Sequence, residues 1–193
     1  MQKRNSINVS KITILSLLSA VHVVLSMLVI QAGSYKLTFE HFPVVLSAIL
    51  FGPWGGMIVG GLGEFVNQML GFGLMPSTIF FVLPFLARGF LVGIFAKWFP
   101  KQVGKCAIRE KKTPIYFIIL CVVTGIVSSC INTFAIYMHY KMMGDSVTAY
   151  AYSIGALPKR LILSAITSVV IGVVIKPVII ALDKSGVLRN FGR

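Results

Sequence analysis

Long apolar blocks, each close to twenty residues and separated by short polar connections, constrain this chain more than any other feature. A helix needs about 20 apolar residues to cross the roughly 30 Å hydrocarbon layer of a bilayer. Of the 193 residues, 56% are hydrophobic and only 12% charged, whereas a soluble domain carries about 25% charge. The mean hydropathy is +0.89. The blocks fill almost the whole chain, so residues 1–193 read as one membrane domain with no room for a second, soluble one.

Five blocks stand out: residues 11–32, 42–72, 78–98, 114–137 and 158–182. The first follows basic residues, as in a signal peptide. It is longer than a signal core and lacks a small-x-small cleavage pattern, so it reads as a retained span. The second block is broken by Gly52-Pro53-Trp54-Gly55-Gly56. Proline lacks an amide donor and glycine is permissive, so a tight turn fits there. Charge decides whether that block is one span or two. Lys3, Arg4 and Lys11 precede the first span, and Lys97, Lys101, Lys105, Arg109, Lys111 and Lys112 follow the 78–98 span. By the bias of Lys and Arg toward the cytoplasm, both segments are cytoplasmic. An even number of crossings must separate them, so the block splits in two. The expectation is an all-α membrane protein of six transmembrane helices with both termini cytoplasmic. Lys176, Lys184, Arg189 and Arg193 add to the inner side. Lys36, Lys141, Lys159 and Arg160 fall outside, and Arg88 falls within the bilayer.

The formal net charge of +13 raises nucleic-acid binding, but the basic residues cluster at span ends and in one loop, where they set topology and meet anionic headgroups of the lipid bilayer. No nucleic-acid partner is expected. Cys106, Cys121 and Cys130 have no paired or metal-ligand spacing, and His22, His41 and His139 form no HxxxH pair. No metal site, cofactor or catalytic group is expected, and no GxxxxGK[ST] loop is present to hydrolyse ATP.

The third span holds Gly56, Gly60, Gly61 and Gly63, then Glu64, Asn67 and Gln68. Gly56 and Gly60 have the small-xxx-small spacing that lets backbones approach. Glu64, Asn67 and Gln68 share one helix face. A carboxylate in a membrane costs roughly 2.5–3.5 kcal/mol on insertion scales, so it needs a partner or water. Arg88 lies at a comparable depth in the next span, which makes an Arg88–Glu64 pair the natural expectation. Such a pair either locks two helices or borders a polar ligand cavity, and proton coupling through Glu64 is the third reading. On the outer side, Tyr35, Phe39 and their neighbours are an aromatic belt or a ligand clamp. Lys159 and Arg160 open the last span on the side where cations are disfavoured. An anionic ligand from outside accounts for them, and headgroup contact is the rival. Ser16 and Ala20 repeat the small-xxx-small spacing on the first span.

The stretch LTFEHFPVVLSAILFGPWGGMIVGGLGEFVNQML, residues 37–70, resembles the signature of substrate-binding S components of energy-coupling factor (ECF) vitamin transporters, with a proline-led short helix, FGP, and a glycine-rich helix ending in acidic and amide residues. The PKR at residues 158–160 and Lys176-Pro177 resemble the family's last helix. The resemblance implies a vitamin-binding subunit that works with a transmembrane coupling protein and two ATPase subunits in a bacterial plasma membrane. Its motif for meeting the coupling protein maps onto Ser16 and Ala20, with serine replacing the first alanine. The chain is most similar to the folate group, whose ligand has a flat ring and carboxylates, with pantothenate, cobalamin and other micronutrients as alternatives. On this reading Lys159 and Arg160 hold carboxylates, and Glu64, Asn67, Gln68, Arg88, Tyr35 and Phe39 frame the rest. A proton-coupled secondary transporter is the rival class, weakened by the lack of an internal repeat.

Overall fold

The computed structural model describes residues 9–28, 30–32, 35–98 and 113–184. The helices are α1 (Val9–Met27), α2 (His41–Phe51), α3 (Pro53–Phe72), α4 (Thr78–Trp98), α5 (Thr113–Met142), the single-turn α6 (Ser146–Tyr150) and α7 (Leu157–Lys184), with a π-helical turn (Ala151–Gly155) between the last two. Strands β1 (Ile30–Ala32) and β2 (Tyr35–Leu37) form a small antiparallel hairpin after α1. The basic 99–113 segment expected to fix the sidedness lies almost wholly outside the described residues.

The chain breaks at Gly52 because that residue adopts φ 80°, a left-handed conformation open to glycine, while Pro53 opens α3 at its first turn, where no amide donor is needed. A Cβ on Gly56 would meet Ala48, and one on Gly60 would meet Val44. These pairs are symmetric about Gly52, so α2 and α3 form an antiparallel hairpin. The split of the second block is thus a reversal of direction.

Similar contacts orient the rest. Gly56 lies against Gly89 and Gly60 against Phe85, so α3 and α4 are antiparallel. Ser77 meets His139 and Arg88 meets Cys121, so α4 and α5 are antiparallel. Gly125 meets Ser168 and Gly172 meets Ile118, so α5 and α7 are too. By contrast, His22 meets Glu64 and Ser26 meets Asn67, so α1 runs parallel to α3. Hence α1, α3 and α5 point one way and α2, α4 and α7 the other. The hairpin with residues 38–40, the α3–α4 link and the α6 region gather at one end of the bundle.

Four helices, α1, α4, α5 and α7, are long and apolar enough to cross a membrane. α3 has the length, but its glycines and its Glu64, Asn67 and Gln68 lower its hydropathy. α2 is about 16 Å long at 1.5 Å per residue, short of the hydrocarbon thickness. It is also the most enclosed helix: every residue from Pro43 to Leu50 is buried. The outward faces are apolar instead. Ile162, Ile166, Val169 and Val173 make an exposed stripe along α7, and Leu17, Val21 and Val24 one along α1. A soluble bundle places such residues inward; here the apolar outside fits an integral membrane protein.

Three expected boundaries move. The first span ends at Met27, not at residue 32, because the chain turns into the hairpin. α5 continues to Met142, five residues past the expected end, so Tyr137–Met142 is helix and carries His139 onto a helical face. The polar connection to residue 158 contains α6 and the π turn. Helix periodicity continues across polar residues, whereas hydropathy does not, and this accounts for the longer α5.

The α3–α4 contact admits no side chain. A Cβ on Gly89 would lie 2.4 Å from Gly56 backbone atoms, closer than any rotamer change relieves. We expect Gly89→Val to exceed the ~1–3 kcal/mol of ordinary overpacking and abolish recovery of monodisperse protein in size-exclusion chromatography. Gly71→Ala, in open space, should leave yield and melting temperature unchanged or slightly raised.

Candidate functional site

A cavity of ≈ 540 Å³ opens among α3, α4 and α5 at the end of the bundle where the connecting segments gather. α3 contributes Glu64, Asn67, Gln68 and Phe72, and the following link contributes Met75 and Ser77. α4 contributes Thr78, Phe81, Pro84 and Phe85. α5 contributes Ser128, Ser129, Asn132, Ile136, His139 and Met143 just beyond its end, and Glu40 and His41 close it from the start of α2. A second, smaller chamber of ≈ 160 Å³ is lined by Thr38, His41, Ser129, Asn132, Arg160, Leu163, Ser164 and Thr167. His41, Ser129 and Asn132 belong to both, so the two chambers adjoin across these residues.

Glu64 is the centre of the polar wall. Its carboxylate accepts the Gln68 Nε2–H at 2.6 Å and the Asn67 Nδ2–H at 3.1 Å, bonds that the i, i+3 and i+4 spacing places on one face. Behind it, on α1, His22 Nε2 lies 3.4 Å from the carboxylate. Ser26 Oγ lies 2.7 Å from Asn67 Oδ1. Gly63 makes room for this, since a Cβ there would strike the His22 ring. The carboxylate therefore sits buried but surrounded by polar hydrogens, the arrangement that low-dielectric burial requires.

The Arg88–Glu64 pair does not form. Neither depth nor rotation matches: with Gly56 against Gly89 and Gly60 against Phe85, Glu64 lies level with Phe81, about two turns from Arg88, and Arg88 turns toward α5 and α7. Its Nη2 donates to the Ser168 hydroxyl at 3.0 Å and to the Cys121 carbonyl at 3.4 Å. Fully buried, it ties three helices together and lines neither chamber. Glu64 has the His22 ring as its interhelical neighbour instead.

The other sequence-derived candidates divide. Glu64, Asn67 and Gln68 line the large chamber and Arg160 the small one. Phe39 packs against the apolar core and Lys159 is exposed, so neither lines a chamber. Tyr35 stands on β2, and its side chain lies outside the described residues. Ser16 and Ala20 are exposed on the outer face of α1. Sequence reasoning passed over Ser128, Ser129 and Asn132 on α5. The signal was there: three polar residues within five positions of an otherwise apolar span, which a lipid-facing helix would not carry. Phe81 and Phe85, one turn apart on α4, form an aromatic wall. The Phe85 ring stacks on His41, with centroids 4.6 Å apart and planes inclined by 24°.

The family model described as "ECF transporter, substrate-specific component" matches residues 10–175. The fold is similar to the S component of a bacterial ECF transporter, with a TM-score of 0.56 and 21% identity over 95% of this chain and 98% of that one. It is also similar to the S component for biotin from an ECF-type ABC transporter, with a TM-score of 0.55 and 17% identity over 89% of this chain and 93% of that one. At these identities the likeness is one of fold. No curated protein matches the chain.

Proposed function

Since the chain belongs to the ECF transporter substrate-specific components, a family of transporter subunits and not of enzymes, we propose that it captures a vitamin-sized molecule outside the cell and delivers it inward with a separate ATP-driven module. The observation that carries this reading is the cavity itself. A polar chamber of ≈ 540 Å³ lies within the size range of small-molecule sites, and it sits at one end of a bundle whose outside is apolar.

In this reading all six long or buried helices, α1–α5 and α7, traverse the bilayer in alternating directions, α2 with the help of residues 38–40. The alternation of helix directions supports it, since both ends of the described chain then lie at the same end of the bundle. The Lys and Arg bias makes that side cytoplasmic, so the chambers face the medium in a bacterial plasma membrane. The substrate is a vitamin. Folate suits the combination of flat aromatic walls and Arg160, while pantothenate, cobalamin and other micronutrients are alternatives that the family resemblance allows. Lys159 flanks the mouth as a second cation for an anionic substrate.

Partner docking falls to α1. It packs against α3 and α2 through Leu15, His22 and Ser26, and its far side is exposed. On that side Ser16 and Ala20 interrupt a row of larger apolar residues, which permits close approach of another helix in lipid. A transmembrane coupling protein and two ATPase subunits complete the assembly.

The paired replacement Ser16→Leu and Ala20→Leu adds bulk where the chain itself has no packing. Co-purification of the ATPase subunits should fall at least tenfold, while ligand binding to the isolated chain stays unchanged. Uptake by the wild-type chain in vesicles should stop when ATP is withheld. Uptake that persists without ATP and collapses with the proton gradient would establish the secondary transporter instead.

A further inference from the structure

We infer that the two chambers select a bipolar molecule, with a flat head rich in N–H donors in the large chamber and an acidic tail reaching the small one, an inference that rests on the vitamin-binding reading above.

The large chamber is acidic. Among the described residues it contains two carboxylates, Glu40 and Glu64, and no lysine or arginine. Asn67 and Gln68 direct amide N–H groups at Glu64, and Asn67 Oδ1 accepts from Ser26, so the Gln68 carbonyl and the remaining lone pairs of Glu64 are what that wall offers. A ligand carboxylate there would meet two glutamates in a poorly solvated space, where like charges repel strongly. Amino, amidine or ring N–H groups would find matched acceptors instead, and the carboxylate geometry suits paired donors. The Phe81 and Phe85 side of the same chamber, with His41 stacked on Phe85, gives a flat head an apolar face.

The small chamber has the opposite polarity. Its lining includes Arg160 and four hydroxyl residues but no carboxylate. Arg160 Nη2 is held by the Tyr152 carbonyl at 2.6 Å, which fixes the guanidinium, while its Nη1 is buried without a partner. A buried guanidinium nitrogen with nothing to donate to is costly, and a ligand carboxylate or phosphate removes that cost. His41 Nδ1 is likewise buried and unpartnered. It belongs to both chambers, at the place where head and tail of one molecule would join.

The full-length chain, purified in detergent, is titrated by thermal shift with four probes: folic acid and biotin, which carry both N–H donors and a carboxylate, and thiamin and pyridoxine, which lack a carboxylate. The expected result is that folic acid or biotin stabilises at the lowest concentration. Arg160→Gln should raise that midpoint at least tenfold, and Arg160→Lys should restore most of the loss. Leu163→Asp places a carboxylate in the small chamber and keeps the Arg160–Tyr152 contact, so it should produce the same loss if Arg160→Gln fails to fold. A preference for thiamin or pyridoxine, or midpoints unmoved by both variants, overturns the bipolar assignment and leaves a ligand-binding subunit standing. Stabilisation by none of the four overturns the bipolar assignment, and if pantothenate, riboflavin and cobalamin also leave the melting temperature unmoved, the vitamin-binding reading falls with it.

Discussion

The approach of α3 to α4 at backbone distance is the constraint on which the rest depends. Gly56 and Gly60 of α3 and Gly89 of α4 leave no space for a Cβ, and Gly93 of α4 packs onto Pro53 at the start of α3 in the same way. In a bilayer no hydrophobic effect drives one apolar helix onto another, so association relies on close packing and interhelical polar contacts. The glycine seam provides that packing. It also fixes the rotation of α3, because only one face can meet α4 at this distance. Its polar residues then lie one to three turns beyond the seam, where the two helices diverge toward the connecting segments. The cavity opens there.

Two buried charges show how differently the same problem is solved within one bundle. Glu64 is placed in a nest of side chains from its own helix and from α1, and it faces a chamber that could admit water or ligand. Arg88 is enclosed by α4, α5 and α7, with a hydroxyl and a main-chain carbonyl as its acceptors and two of its nitrogens unpartnered. A buried cation held this way contributes less to stability than a well-packed apolar group, but it makes the three-helix junction specific: no other rotation of α5 or α7 gives Arg88 both acceptors. The first arrangement suits a site and the second a lock.

What was legible in the sequence follows from which physical signal each feature leaves. The split at Gly52 was legible from the charge parity of two distant basic segments together with the local glycine–proline turn sequence. The membrane class followed from hydropathy alone. Glu64, Asn67 and Gln68 could be placed on one face from spacing. The register and rotation of one helix against another are not written locally, and this is why Arg88 seemed to face Glu64. The register and rotation of α4 are set by Gly89 meeting Gly56 and Gly93 meeting Pro53, 33 and 40 residues upstream, information that no local pattern around Arg88 contains. The Ser128, Ser129 and Asn132 group was visible as polar residues in a span, yet its partner surface depends on the same rotation. The hairpin after α1 left only a weak signal, three residues on each side of a short polar dipeptide.

The position of Glu64 joins two surfaces that otherwise have nothing in common. Its side chain lines the large chamber, while His22 and Ser26 support it and its neighbour from α1. α1 in turn touches the bundle on one side only, through α2 and α3, and leaves Ser16 and Ala20 exposed on the other. The helix with the fewest internal contacts among the long ones is therefore the one directly behind the chamber's carboxylate. A molecule that draws on Glu64 must do so in competition with Asn67, Gln68 and His22, and the last of these belongs to α1. Any redistribution of those hydrogen bonds is felt first at the α1–α3 seam, where Gly63 leaves the His22 ring no spare volume. The chamber and α1 are thus joined through a layer of polar side chains, Glu64 and Asn67 on α3 and His22 and Ser26 on α1.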